Sequence, residues 1–225
     1  MSADSLATFA ALVGDPARAR MLVALFDRVE MPATDLARHG AVSAQTTSFH
    51  LRKLCEAGVL TVARRGRSRV YALAGAHVAS ALEAMLALAP RSNARSLRDR
   101  LKPIELARTC YDHVAGRLGV ALADAMEQQG WIETSDRQYV VTAKGESAFS
   151  ALALDLERLR DERRQFAKRC LDWTERRYHV AGALGAAIAN ELKRRKWIVP
   201  LPNSRTVQIT SDGYSGLRRT FRVAL

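Results

Sequence analysis

One stretch of this chain occurs twice. Residues 113–132 read HVAGRLGVALADAMEQQGWI and residues 179–198 read HVAGALGAAIANELKRRKWI, identical at ten of twenty positions without a gap. An internal repeat constrains the fold more than any single motif does. Each copy is one supersecondary unit that cannot bury its apolar face alone and has to pack on its twin. Both copies continue into a strand-like piece, RQYVVTAKG and RTVQITSDG, that ends in Thr-x-x-Gly (Thr142 to Gly145, Thr210 to Gly213). The unit therefore reads helix, Trp-Ile, hairpin, glycine turn, which is half of a winged helix. Between the copies, SAFSALALDLERLRDERRQFAKRC predicts one long amphipathic helix, apolar at Leu152, Leu156, Leu159 and Phe166.

Each copy is preceded by or contains a Cys, an Asp two residues later, and the His of HVAG. Cys110 and His113 stand at i and i+3, which places them on one face of a helix. Cys170 and His179 are further apart. If the copies pack about a pseudo-twofold, their helix starts meet and Cys110, His113, Cys170 and His179 surround one point. Two thiolates and two imidazoles are the donor set of a tetrahedral Zn²⁺ or another soft metal ion. Asp112 and Asp172 are then outer acceptors or alternative ligands. Two other readings stay open. The repeat is a structural duplication in which His caps and Cys packs, or the region binds a small organic ligand in a pocket lined by Trp131, Trp173, Trp197 and Tyr111.

The first third of the chain carries a different pattern. GDPARARMLVALF opens a helix with Asp15 as cap and Pro16 in the first turn. MPATDLARHG is a short second helix ended by Gly40. SAQTTSFHLRKLCEAGVL is a third, with Ser43 as cap, Phe49, Leu51, Leu54 and Val59 as apolar contacts, and Gly58 as stop. Two short helices joined by a tight turn, the second rich in Gln, Thr, Ser, His and Arg, form a helix-turn-helix. LTVARRGRSRVYAL then reads strand, basic turn, strand, a wing whose Arg64, Arg65 and Arg67 suit phosphates or a minor groove. AHVASALEAMLALA closes the module as an amphipathic helix.

The words LVGDPARARMLVAL, LARHGAVSAQTTSFHLRKLCEAGVL and RRGRSRVYAL, over about residues 5–90, resemble the ArsR family of bacterial winged-helix repressors. The resemblance implies a homodimer built on the module's first and last helices, and promoter binding that a ligand, often a metal ion, releases. It also implies that Gln45, Thr46, Ser48 and Arg52 face the groove, with Ser43 at the helix start. The chain departs from the family's usual pattern at Ala44 and Phe49. Metal sensors of the family often carry Cys-x-Cys on the helix before the recognition helix, but that helix here is ATDLARHG, without Cys. The last helix offers only His77 and Glu83, too few donors for a site. Cys55, at the end of the recognition helix, is assigned to packing. Sensing is therefore expected further along the chain.

The formal charge is +12, which suits a polyanionic partner, and residues 91–110 are the most densely basic segment at a net +4. APRSNARSLRDRLKP reads as a basic connection. No Ser-His-Asp order, phosphate loop or paired-carboxylate word appears, so an enzyme is not expected. With no apolar run long enough for a bilayer and an odd three Cys, the chain reads as cytoplasmic, with reduced thiols and no membrane partner.

The expected architecture is mainly α with small β-hairpin wings. A winged helix-turn-helix for DNA binding and dimerisation occupies 1–89 and a basic linker 90–104. A C-terminal regulatory domain of two winged-helix-like half repeats, about 108–150 and 168–220, occupies 105–225. The expected function is an ArsR-type repressor that binds operator DNA as a homodimer and senses a metal ion or thiol-reactive species in its C-terminal domain. The alternatives are response to a small organic ligand and constitutive DNA binding with a purely structural C-terminal domain.

Overall fold

A computed structural model describes residues 2–90 and 102–225. The expected linker, 90–104, lies for the most part outside the described residues. The chain divides into two compact units, one up to Leu82 and one from Glu83 to Leu225.

In the first unit, helices α1 (Ala3–Gly14) and α2 (Pro16–Asp27) meet at Asp15, whose side chain accepts from Arg18 N and caps α2 ahead of Pro16. Helix α2 buries Met21, Leu22, Leu25 and Phe26. The short strand β1 (Met31–Pro32) leads into α3 (Ala33–Gly40), and Ala41, in the left-handed region, turns the chain toward α4 (Ala44–Glu56). Helix α4 is capped by Ser43, which accepts from Thr46 N, and it buries Thr47, His50, Leu51 and Leu54. Strands β2 (Leu60–Arg65) and β3 (Ser68–Leu73) form the expected hairpin, with Arg65 opposite Ser68 and Gly66 at the turn. Strand β1 joins the far side of β3. Helix α5 (Ala76–Leu88) follows, and its residues from Glu83 onward belong to the second unit.

The second unit has more sheet than expected, so "mainly α" is corrected to mixed α and β. After α6 (Pro103–Leu106), strands β4 (Arg108–Cys110) and β5 (His113–Ala115) form a tight hairpin. Then come α7 (Gly116–Gln128), β6 (Ile132–Ser135), β7 (Gln138–Val141) and α8 (Ala143–Ala151). The same order recurs in β8 (Lys168–Leu171), β9 (Tyr178–Ala181), α10 (Gly182–Arg194), β10 (Ile198–Pro200), β11 (Val207–Ile209) and α11 (Ser211–Phe221).

The two runs are interleaved. Strand β7 pairs with β8, which makes a four-stranded antiparallel sheet β6-β7-β8-β9. In the other direction, Val207 N donates to Ala107 O and Thr109 N to Arg205 O, so the segment before β11 lies beside β4. One core is shared by Leu118, Leu122, Met126 and Phe149 from the first run and Leu184, Leu192, Leu217 and Phe221 from the second.

Two local expectations are corrected. The long bridging helix is broken. Helix α8 stops at Ala151, Ala153 takes a left-handed φ of 61°, and Asp155 caps a separate short helix α9 (Leu156–Arg160) by accepting from Arg158 N. An aspartate placed to cap competes with helix continuation. The Thr-x-x-Gly words are helix starts instead of glycine turns. Thr142 and Thr210 accept from Gly145 N and Gly213 N and cap α8 and α11.

Candidate metal centre

Cys110 and His113 are not on a helix. They are directly opposed residues on β4 and β5, joined by a two-residue turn in which Tyr111 takes φ 63°. Cys170 and His179 are likewise directly opposed, on β8 and β9, across a longer turn. Each hairpin therefore presents one thiol and one imidazole. The four donor atoms lie within 4.8 Å of one another. Cys110, His113 and His179 are buried and Cys170 is half-buried.

Small residues in the repeated motif let the hairpins approach. A Cβ at Gly119 would run into the Val114 carbonyl and stand 3.5 Å from His179 Cβ. A Cβ at Gly185 would run into the Val180 carbonyl and stand 3.2 Å from His113 Cβ. The second glycine of each HVAGxLG word thus lets its helix lie against the valine carbonyl of its own strand, with the histidine of the other copy within van der Waals range.

The imidazoles face each other through Nε2, 3.1 Å apart. Their other nitrogens turn toward the two aspartates. His113 Nδ1 lies 3.1 Å from Asp112 Oδ1, and His179 Nδ1 lies 3.7 Å from Asp172 Oδ2. Asp112 is also paired with Arg164. Asp172 is held from several directions. Arg108 Nη2 donates to its Oδ2 at 2.8 Å and Gly116 N at 2.7 Å, while Thr174 N, Thr174 Oγ1 and Glu175 N donate to Oδ1. Arg108 is only 1% exposed, so this is a fully buried ion pair. Both aspartates fit as outer acceptors, with their carboxylates committed to other donors.

The electrostatics follow from these contacts. The hydrogen bond between the two thiols, with burial, pushes Cys110 up to about 12. The same hydrogen bond lowers Cys170, against the opposing effect of burial. Burial works against a charged His113, but the Asp112 hydrogen bond and the Cys110 sulfur outweigh it and raise its pKa to about 9. Asp112 is held well below the usual carboxylate range by its hydrogen bond to His113 and by Arg164. Asp172 is also held below that range. Burial opposes ionisation there, but the Arg108 charge and the hydrogen bonds from Thr174 and Glu175 prevail.

The donor set fits a tetrahedral ion. With Zn–S of about 2.3 Å and Zn–N of about 2.0 Å, donors on a tetrahedron stand about 3.3–3.8 Å apart, so the four groups need close by only about an ångström. His179 Nδ1 is buried and makes no hydrogen bond. A metal on Nε2 would fix the proton on that nitrogen and turn it into a donor to Asp172.

Glu83, one of too few donors on its own helix, sets its buried carboxylate against the cluster. Oε2 accepts from Cys110 Sγ at 3.3 Å and Oε1 from Arg205 at 2.7 Å. A lone glutamate on a helix gave no signal for this. Cys55 is half-buried at the end of α4, not fully packed, and is not part of the cluster. The aromatic residues of the alternative pocket are separated in character. Trp131 packs on Phe149 and Phe221, Trp197 is buried near Gly216, Trp173 lies under Arg108, and Tyr111 is 75% exposed.

In the first unit, Ser43, Gln45, Thr46, Ser48 and Arg52 all lie on exposed positions of α4 or its cap. Arg64, Arg65 and Arg67 are exposed on the hairpin, and Arg65 is paired with Glu30 at 3.1 Å. Among the described residues no helix is long and apolar enough to cross a membrane.

The helix-turn-helix domain family matches residues 13–63. The HTH-type transcriptional regulator YdfF of Bacillus subtilis (strain 168) is 39% identical over 98% of this chain and 99% of its own length, so that likeness runs through both units. The HTH-type transcriptional regulator CmtR of Mycobacterium bovis is 39% identical over 36% of this chain and 69% of its own. Among solved structures, that of the cadmium metal-sensor CMTR from Mycobacterium tuberculosis matches 42% of this chain and 99% of its own, at 33% identity and a TM-score of 0.32. Both curated relatives are described as HTH-type transcriptional regulators. With a winged helix-turn-helix in its first unit and a full-length relative of the same kind, the chain belongs to the ArsR-type helix-turn-helix transcriptional regulators.

Proposed function

We propose that this regulator is a metal-responsive repressor. It binds operator DNA as a homodimer and takes one Zn²⁺ or similar soft ion on Cys110, His113, Cys170 and His179. The observation that carries the reading is the convergence of two thiols and two imidazoles from two hairpins more than fifty residues apart in sequence. The chemistry a bound ion supplies is structural. It ties the two winged-helix-like half repeats of the second unit to one point and stabilises the form that binds it. Asp112 and Asp172 orient the imidazoles through Nδ1.

The exposed α4 residues Gln45, Thr46, Ser48 and Arg52 read base edges in the major groove, Ser43 anchors the helix start, and Arg64, Arg65 and Arg67 meet the DNA backbone. Filling the metal site shifts the population toward a dimer whose recognition helices no longer match successive major grooves. Loss of operator affinity on metal binding then follows from differential affinity alone.

The test is a zinc titration of the chelated full-length protein with operator affinity read in parallel. One ion per chain and a release of operator DNA are expected, both abolished in Cys110→Ser and Cys170→Ser and both kept in Cys55→Ser. Gln45→Ala should relax base preference by about 1–3 kcal/mol. Arg67→Ala should weaken all sequences alike and flatten the salt dependence. If zinc does not bind and the Cys variants respond to the inducer as the wild type does, the metal reading is wrong. A second reading, a small organic effector, would then use an open surface depression of about 430 Å³ lined by Asp112, Arg158, Arg164 and Asn190 among others, in place of the expected aromatic pocket, because Asp112 also contacts His113.

A further inference from the structure

We infer that Cys110 and Cys170 are also a modification site. In the metal-free protein they close a reversible disulfide when a two-electron oxidant of the peroxide class reaches them. The inference rests on the same donor convergence as the metal reading but uses different chemistry.

Three observations carry it. The two sulfurs lie within 4.8 Å of each other, close enough for side-chain rotation to bring them toward bonding distance. They sit on strands of different sheets, β4 with β5 and β8 in the four-stranded sheet, so a bridge would link the two halves of the unit instead of neighbouring strands of one hairpin. Their exposure differs. Cys170 is half-buried, the more exposed of the two, whereas Cys110 is buried at 5% exposure. That asymmetry assigns the order of events, with the more exposed thiol oxidised first and the buried one resolving.

The chemistry balances with peroxide as the only co-reactant. Cys170 Sγ attacks one peroxide oxygen. An S–O bond forms, the O–O bond breaks, and the departing hydroxide leaves as water with the thiol proton. Cys110 Sγ then attacks the sulfenic sulfur. The S–S bond forms, the S–O bond breaks, and the hydroxyl leaves as a second water with the Cys110 proton. Two electrons pass from the sulfurs to peroxide. The disulfide leaves only His113 and His179 as donors, so the oxidised protein cannot hold the ion in a four-donor site. A bound ion in turn engages both sulfurs and shields them. Metal and oxidant thus compete for one pair of thiols.

The test is to treat the chelated full-length protein with hydrogen peroxide, alkylate it with iodoacetamide, and map the peptides by mass. The expected result is a chain lighter by two hydrogens, a peptide linking Cys110 to Cys170, alkylation at Cys55 alone, and full reversal by dithiothreitol. Preloading with zinc should slow bridge formation at least about tenfold, because the thiolate sulfurs are then occupied. If both Cys110 and Cys170 remain alkylatable, or if the bridge uses Cys55 or a second chain, the inference is overturned. In Cys170→Ser no intramolecular bridge should form. If that variant fails to fold, the wild-type peptide map decides alone. Zinc uptake without a bridge defeats this inference and spares the metal reading. A bridge without zinc uptake defeats the metal reading and spares this one.

Discussion

The two hairpins of the second unit deliver the same pair of side chains by different means. The β4–β5 hairpin turns in two residues, so its aspartate, Asp112, sits at the rim and is held by Arg164, itself on the surface. The β8–β9 hairpin has a longer turn, which folds Asp172 inward against Arg108, Gly116, Thr174 and Glu175. One half is thus fixed by a buried polar network and the other is adjustable. A site assembled from one rigid and one yielding half can close on an ion without repacking the core. Asp172 should therefore govern stability, and Asp112 should govern affinity.

The sharpest way to break that comparison is to exchange the consequences. Asp172→Ala leaves Arg108 buried without its partner, and denaturant unfolding should show a loss of about 3–5 kcal/mol. Asp112→Ala removes a partly exposed pair with Arg164 and the acceptor of buried His113, so it should cost less than Asp172→Ala, which strands a fully buried guanidinium. Metal affinity in Asp112→Ala should nonetheless fall by about 10–100-fold, since His113 loses the acceptor that orients it. Equal stability losses in the two variants would remove the distinction between a fixed and an adjustable half.

Acidity sharpens the same contrast. Asp172 is depressed in the folded state, so its contribution is present above an unfolded value of about 3.9 and is lost as pH falls through the folded one. Asp172→Asn should therefore flatten the acid limb of the stability profile. His113 is raised, so its contribution is complete below an unfolded value of about 6.5 and is lost as pH rises through about 9. Over that interval the metal-free protein should weaken in thermal melts while zinc affinity climbs. The ion must displace protons from His113 and Cys110, and two released protons correspond to about a hundredfold per pH unit. Zinc affinity independent of pH between 6.5 and 9 would contradict these proton positions.

The smallest effect expected is at Cys55. It is half-buried at the end of α4 and outside the cluster, so Cys55→Ser should alter stability by about 1 kcal/mol or less and leave metal stoichiometry unchanged.

Much of this arrangement was legible before any coordinates. The repeated HVAG points to two halves that pack on each other, and the Cys and His of each copy are the four side chains that the structure brings together. The local geometry differs from the helix that the spacing predicts. Residues at i and i+3 meet on one face of a helix, but they also meet at the mouth of a two-residue hairpin, so Cys110 and His113 were paired correctly on the wrong scaffold. The nine-residue spacing of Cys170 and His179 does not fit one face of a helix turn, and the structure opposes the two across a hairpin. Asp155 likewise carried the break in the expected long helix, as a capping residue ahead of Leu156. Glu83 and Arg108 could not be read. Their roles depend on partners distant in sequence, Cys110 and Arg205 for one and Asp172 for the other, and neither has a local pattern. In the first unit the helix caps at Asp15 and Ser43 and the basic hairpin appear where the sequence placed them, because each rests on contacts between near neighbours.

The measurement that tests the central claim most directly is X-ray absorption at the zinc edge on protein loaded with one equivalent of zinc. The account predicts a four-coordinate shell of two sulfurs at about 2.3 Å and two imidazole nitrogens at about 2.0 Å, with one sulfur lost in Cys110→Ser and in Cys170→Ser. A shell without sulfur, or one unchanged by both substitutions, would contradict it.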